Sequence, residues 1–337
     1  MTQSIAVEID AQYRQLRDEC GLLERSGRGK LILSGAEAAE YLQGQLTNDV
    51  EALAPDEGQY AALLDRKGHL QADMRVLRPS AVPSVSYADI RNSGSSGDGG
   101  VGGFWIDTEA EALAAARRHL EMYKIGREVT VDDVSGAWAI LSLIGPRSVE
   151  IAATAALPEH AVETTSIAGA ECLAVGTAEG IDLIAAAEAA VGLREALLAA
   201  GAAEVGPEAA EIVRIEAGVP RFGAEMGSET MPAEAGIVER AVSFTKGCYI
   251  GQEPVARLHY KGRPNRHLRG LELSAPAAPG ASLWLGEKEV GRVGGACVSP
   301  ARGPIALAIV RREAEPGAEL TVGEDGVTAR VSDLPFG

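Results

Sequence analysis

From Gly262 onward the chain changes texture, and no other stretch narrows the choice of fold so far. Short apolar runs at 267–273, 282–285, 290–298, 305–310, 318–322 and 327–331 are separated by Pro276, Pro279, Gly280, Gly286, Gly303 and Gly317. Helical periodicity is absent, and closely spaced strands punctuated by turn formers specify a small barrel or sandwich. A separate all-β domain is expected over 263–337.

Upstream, the pattern mixes helices and strands. Ser34-Gly-Ala-Glu37 has the form of a capping box, with Ala38, Tyr41, Leu42 and Leu46 following at helical spacing. That helix spills into Thr47-Asn48-Asp49, short polar groups suited to a turn or to ligand contact. The runs 60–64 and 70–77, joined by Asp65-Arg-Lys-Gly68, read as a β-hairpin. Asp73 falls inside the second strand, and alternation points it by default to solvent, with a pocket as the alternative. Thr108-x-x-Glu111 opens another helix, 138–144 and 181–187 read as strands, and 191–200 and 207–217 as helices stopped by Gly201 and Gly218. Strands and helices do not alternate in β-α-β fashion, so α+β units with antiparallel sheets are expected. The Gly/Ser-rich run 92–103 has few side chains able to build a core and reads as a flexible surface loop.

At 337 residues the chain suits two or three domains, with 46% hydrophobic and 23% charged residues as in ordinary globular proteins. The first twenty residues lack a secretory pattern, and no apolar run approaches the roughly 20 residues of a membrane span. The expected location is the cytoplasm, without membrane association. A net charge of −17 disfavours direct nucleic-acid binding. Cys20, Cys172, Cys248 and Cys297 are too scattered for a disulfide framework or a local metal site, so no bound metal is expected.

Cys248 has Gly247 and Tyr249 on either side and Lys246 two residues before it, an open and electropositive setting that favours thiolate. It is either a reactive thiol or an inert one. Thirteen residues, 257–269, carry five Lys or Arg and two His in an otherwise acidic chain. They read as a small-anion site or as a charged linker paired with surface carboxylates.

Lys246-Gly-Cys-Tyr-Ile-Gly-Gln-Glu253 resembles the signature of the YgfZ branch of the folate-binding YgfZ/GcvT superfamily. Tyr41-Leu-Gln-Gly-Gln-Leu-Thr-Asn-Asp-Val50, Arg214-Ile-Glu-Ala-Gly-Val-Pro-Arg-Phe-Gly223 and Met231-Pro-Ala-Glu-Ala-Gly236 agree, in order along nearly the whole chain. The resemblance implies a ring of two interleaved α+β domains, one ferredoxin-like, and a C-terminal β-barrel around a central folate cleft. The units would be 1–40 with 128–205, 41–127 with 206–262, and the barrel 263–337. It also implies tetrahydrofolate as cofactor, polyglutamylated or carrying a one-carbon unit, and a role in assembling or repairing iron–sulfur clusters in client enzymes, tRNA-modifying ones included. Cys248 and Lys246 would then be the working residues, with Asn48, Asp49, Asp73, Glu179, Tyr249, Gln252, Arg257 and Lys261 around the folate. Arg257 and Lys261 are candidates for its glutamate tail.

The alternative within the superfamily is an aminomethyltransferase of the glycine cleavage T-protein type, or a related demethylase. Those enzymes carry G-G-x-x-D-D where this chain has Gly68-His-Leu-Gln-Ala-Asp73, with one carboxylate. Their pterin-gripping segment is echoed only by the shorter Gly176-Thr-Ala-Glu-Gly180, whose Glu179 is either a pterin ligand or an exposed loop residue.

Overall fold

The Asp65–Gly68 turn closes the expected hairpin for identifiable reasons. The Asp65 carboxylate accepts hydrogen bonds from the Lys67 and His69 amides at 2.8 and 2.9 Å, and Gly68 takes φ +81°, which costs glycine nothing. In a computed structural model, which describes residues 2–81, 103–324 and 326–336, the strands Glu57–Leu64 and Leu70–Arg78 pair antiparallel with Ala62 opposite Asp73. They form one edge of a five-stranded antiparallel sheet completed by Phe104–Thr108, Gly29–Ser34 and Thr130–Asp133, in that order. Gly29–Ser34 and Thr130–Asp133, expected in the first unit, thus belong to the sheet of the second. The chain crosses between units sooner on the way in, and later on the way back, than the expected boundaries at 40 and 128.

A six-stranded sheet runs Ala203–Glu204, Gly21–Glu24, Trp138–Ile144, Gly180–Ala186, Ala170–Thr177, Val162–Ile167. It is antiparallel except where Gly21 and Leu22 pair parallel with Ala203 and Glu204. The two sheets face each other. Ile32, Leu77 and Trp105 of one meet Trp138, Ile140, Leu173, Val175 and Ile184 of the other, and Trp105 and Trp138 make an edge-to-face pair with centroids 5.2 Å apart. The alternate residues of each sheet pack outward onto helices: Leu31, Leu33, Met74 and Ile106 beneath Ala38–Gln45 and Ala110–Tyr123, and Leu141, Leu143, Ala174 and Leu183 beneath Ala190–Ala199. With both faces covered, the strands carry almost unbroken apolar runs, as buried sheets do.

Residues 266–332 contain the expected six strands, closed into a barrel in the order Arg266–Leu273, Gly303–Arg311, Lys288–Ser299, Ser282–Leu285, Glu319–Val322, Val327–Ser332. Neither capping box forms. Ser34 ends a strand and its Oγ meets Thr130 Oγ1 at 2.7 Å, while Glu37 accepts from the Glu128 amide and Arg127. Thr108 also ends a strand, and its hydroxyl donates to the Asp73 carbonyl. The loop expected over 92–103 lies outside the described residues apart from Gly103. Among the described residues, no helix is long and apolar enough to cross a membrane.

Candidate functional site

A cavity of about 1,090 Å³ opens where the two α+β units and the barrel meet, walled by Tyr60 and Asp73 of the five-stranded sheet, Arg25 and Glu179 beside strand ends of the six-stranded one, Ile212 of the helix Pro207–Glu216, and Cys297 of the barrel. That is the upper end of the size range of small-molecule sites.

Asp73 is in this wall because of strand alternation. It shares a face with Arg75 and Leu77, opposite to Ala72, Met74 and Val76, which pack onto the helices. The expectation that it faces solvent is corrected for one reason: the second face of its strand is turned to the other sheet and the cavity. Tyr60, diagonal to it across the hairpin, donates its hydroxyl to Asp73 Oδ2 at 2.7 Å. Oδ1 is buried and has no hydrogen-bond partner among the described residues. Burial pushes the Asp73 carboxyl above the usual carboxylate range against the pull of Tyr60 and Arg28, and burial with the neighbouring carboxylate raises the Tyr60 phenol. The Arg240 guanidinium lies 5.4 Å from the Tyr60 ring centre and binds Glu159 at 2.6 Å. Asn48 ties the two segments together behind the wall, its amide donating to the Tyr60 and Arg240 carbonyls at 2.9 and 3.1 Å.

Charge pairing continues inward. Arg28 is held by Asp107 and Glu109, and Arg75 bridges Asp107 and Asp182 at 2.7 and 2.8 Å, with Ser142 donating to Asp182 at 2.6 Å. Arg214 is saturated by Glu211 and Glu225. Glu179 differs: its carboxylate has no hydrogen-bond partner among the described residues. Burial raises its pKa, opposed by Arg25 and Arg17.

The signature segment lies elsewhere. Lys246 turns inward and its ammonium donates to the carbonyls of Gln43, Leu46 and Asn48 at 2.6, 2.7 and 3.0 Å. It thereby closes the C-terminus of the helix Ala38–Gln45, whose last carbonyls have no partner within the helix. Burial lowers its pKa to about 8. Its Nζ is 5.1 Å from the centre of the Tyr249 ring, and the buried Tyr249 phenol is pushed up to about 12. Gln43 holds the same turn, donating to Asp49 and accepting from the Val50 amide, both at 2.9 Å. Cys248 is exposed between these anchors. Gln252 starts a helix, Gln252–Lys261, which the sequence reading did not anticipate; Arg257 and Lys261 stand exposed on it, Arg257 pairing with Glu253 at 2.8 Å.

Of the residues expected around a folate, the cavity wall therefore contains Asp73 and Glu179, and not Asn48, Asp49, Tyr249, Gln252, Arg257 or Lys261. Lys246 and Tyr249 pack inward and Cys248 is exposed, so the Lys246–Glu253 segment, expected around the folate, lies outside this wall. Arg25 and Tyr60 escaped the sequence reading as cavity residues. For Tyr60 a signal existed, since the hairpin register places it diagonal to Asp73; for Arg25 there was none. Among the described residues, no three His, Cys, Asp or Glu side chains are grouped to hold a metal ion.

The family model for the GCVT N-terminal domain matches residues 2–83 and 102–246, and that for the glycine cleavage T-protein C-terminal barrel domain matches 266–336. An aminomethyltransferase of Rubrobacter xylanophilus is 28% identical over 341 residues, spanning 97% of this chain and 86% of the relative. One from Listeria welshimeri is 27% identical over 97% of this chain and 89% of its own. The crystal structure of glycine cleavage system aminomethyltransferase T from Bartonella henselae superposes with a TM-score of 0.82, covering 98% of this chain and 89% of that one at 22% identity, a likeness of fold.

Proposed function

The chain belongs to the glycine cleavage T-protein family, and from that premise we propose that it binds tetrahydrofolate in the central cavity and handles a one-carbon unit beside Asp73, in the manner of an aminomethyltransferase. The observation that carries this reading is the Asp73 carboxylate, fixed by Tyr60 through one oxygen and left with the other buried and unpaired in the cavity wall. Groups of that kind are kept where a ligand completes them. The cavity is large enough, and the free carboxylate of Glu179 offers two parallel acceptors to the aminopyrimidine edge of a pterin. Bound tetrahydrofolate would supply the nitrogen that carries the one-carbon unit. Tyr60 holds Asp73 in place, and Asp73 stabilises positive charge as it develops on an amine in front of it, an effect strengthened by burial.

Calorimetric titration with tetrahydrofolate tests the first half: a Kd on the order of micromolar is expected, weakened at least about tenfold by Glu179→Gln. Methylenetetrahydrofolate formation with an aminomethylated carrier protein tests the second, with Asp73→Asn expected to bind folate and turn over nothing. Wild-type protein that binds but never transfers removes the transferase reading and leaves the folate one.

A second reading is favoured by one observation, the exposure of Cys248 outside the cavity between two buried anchors. It is the YgfZ-type role, in which a folate-bound cytoplasmic protein presents that thiol to iron–sulfur client or assembly proteins. Cys248→Ser should then fail to restore iron–sulfur enzyme activity in a deletion strain while keeping its folate affinity; full rescue would sink the reading.

A further inference from the structure

Arg25 stands apart from the other arginines of the cavity wall. Arg28, Arg214 and Arg240 are each held by carboxylates within hydrogen-bond distance, and Arg221 reaches Glu211 at 3.5 Å. The half-buried guanidinium of Arg25 has neither hydrogen bond nor ion pair among the described residues. Its main chain is fixed, the amide donating to the Ile140 carbonyl at 2.8 Å and the carbonyl accepting from the Arg28 amide at 3.0 Å. Its charge is felt at Glu179 without forming an ion pair with it. A fork of N–H donors on a rigid strand end, facing a cavity and lacking an acceptor, matches a planar carboxylate.

We propose that Arg25 binds the carboxylate of a second small substrate, an amino acid, held in the cavity beside the folate. The inference rests on Glu179 as the pterin contact. With the pterin edge at Glu179, the glutamate of the same folate lies at the far end of its aminobenzoate spacer, so an anion at Arg25 belongs to another molecule. Its class follows from the rest of the wall. Glu24, Asp73, Glu109, Glu159, Asp182, Glu208 and Glu211 line the cavity, and the arginines among them other than Arg25 are already paired. A dianion such as phosphate meets repulsion there, whereas a zwitterion puts its carboxylate on Arg25 and its ammonium towards the unpaired oxygen of Asp73.

Glycine, acetate and inorganic phosphate are titrated calorimetrically into the whole protein, with and without saturating tetrahydrofolate. Glycine is expected to bind with a Kd on the order of millimolar and more tightly than acetate or phosphate. Arg25→Ala should weaken glycine at least about tenfold and Arg25→Lys less, with tetrahydrofolate affinity within about twofold of wild type and an unchanged Tm. Unchanged glycine binding in Arg25→Ala, preference for phosphate, absence of carboxylate binding, or an equal loss of tetrahydrofolate affinity would each overturn the proposal. The titrations without folate read the Arg25 site alone, so a protein that binds glycine through Arg25 but no tetrahydrofolate would keep Arg25 as the carboxylate site and fail the folate reading, and with it the amino acid's place beside a folate.

Discussion

The ammonium of Lys246 satisfies three main-chain carbonyls, and this changes what its place in the signature means. Its neighbour Cys248 is offered to solvent because Lys246 is not. Lys246→Met orphans the carbonyls of Gln43, Leu46 and Asn48 and should cost about 2–3 kcal/mol in urea unfolding. The pH dependence has a definite sign. The folded pKa of about 8 lies below the ordinary 10.5, so between these values the unfolded chain holds the extra proton, and wild type should gain on Lys246→Met as pH rises through that window. For Asp73 the sign reverses. Its folded pKa is raised by burial, so ionisation costs stability as pH rises, and Asp73→Asn should raise Tm at neutral pH with the gain gone below about pH 4. Among the thiols, Cys20 and Cys172 are buried with pKa values pushed to about 11, and Cys297 to about 12. Cys248 alone should react within seconds with a disulfide reagent in native protein, Cys297 in the cavity wall far more slowly because its thiol stays protonated, and Cys20 and Cys172 only on unfolding. A second fast thiol would contradict that assignment. At this scale the sequence identifies the segment but not its directions: nothing in Lys246-Gly-Cys248 says which side chain turns in.

Elements were legible where their signal is local. Each barrel strand is bounded by Gly or Pro, and alternate residues such as Leu271 and Leu273, or Ala306, Ala308 and Val310, pack into the barrel core, so six strands could be read without knowledge of their partners. The hairpin was legible for the same reason. The capping boxes misled because their serine and threonine are claimed by sheet pairing and long-range hydrogen bonds, which no four-residue window contains. The helix Gln252–Lys261 was hidden by its polarity: Val255 is its one buried residue. It is positioned instead by Gly251, at φ +84°, where a Cβ would lie 2.5 Å from the Asp65 carbonyl of the hairpin turn. Gly251→Ala should therefore cost at least about 1–2 kcal/mol from the left-handed backbone alone, and more from the clash. Urea unfolding checks it, and a cost near zero would mean that the helix and hairpin do not pack as described.

Across the whole molecule, the two sheets meet through an apolar layer that gives way, towards the cavity, to charge. Arg75 and Asp107 come from one sheet, Asp182 and Ser142 from the other, and Arg28 joins Asp107 from the strand end beside Arg25. Composition cannot reveal such a chain, since bonded neighbours within it are up to 107 residues apart and its arginines and aspartates look like ordinary surface charges. The interleaving that puts Gly29–Ser34 and Thr130–Asp133 in the far sheet has the same cause: strand pairing is decided by partners, not by position. Among the described residues Arg75 is the one cation touching both Asp107 and Asp182, so Arg75→Met leaves Asp182 with Ser142 alone there and should cost about 3–5 kcal/mol. Adding Asp182→Asn removes the uncompensated charge and should recover part of that loss, because Asp107 keeps Arg28. If Arg75→Met instead costs less than about 1 kcal/mol in urea unfolding, then the Trp105–Trp138 layer holds the sheets by itself. The charges beneath the cavity would then serve its electrostatics and not its architecture. In that case Arg75→Met should still alter the cavity, lowering the pull on its carboxylates and weakening any anion bound there, which the glycine titration would register.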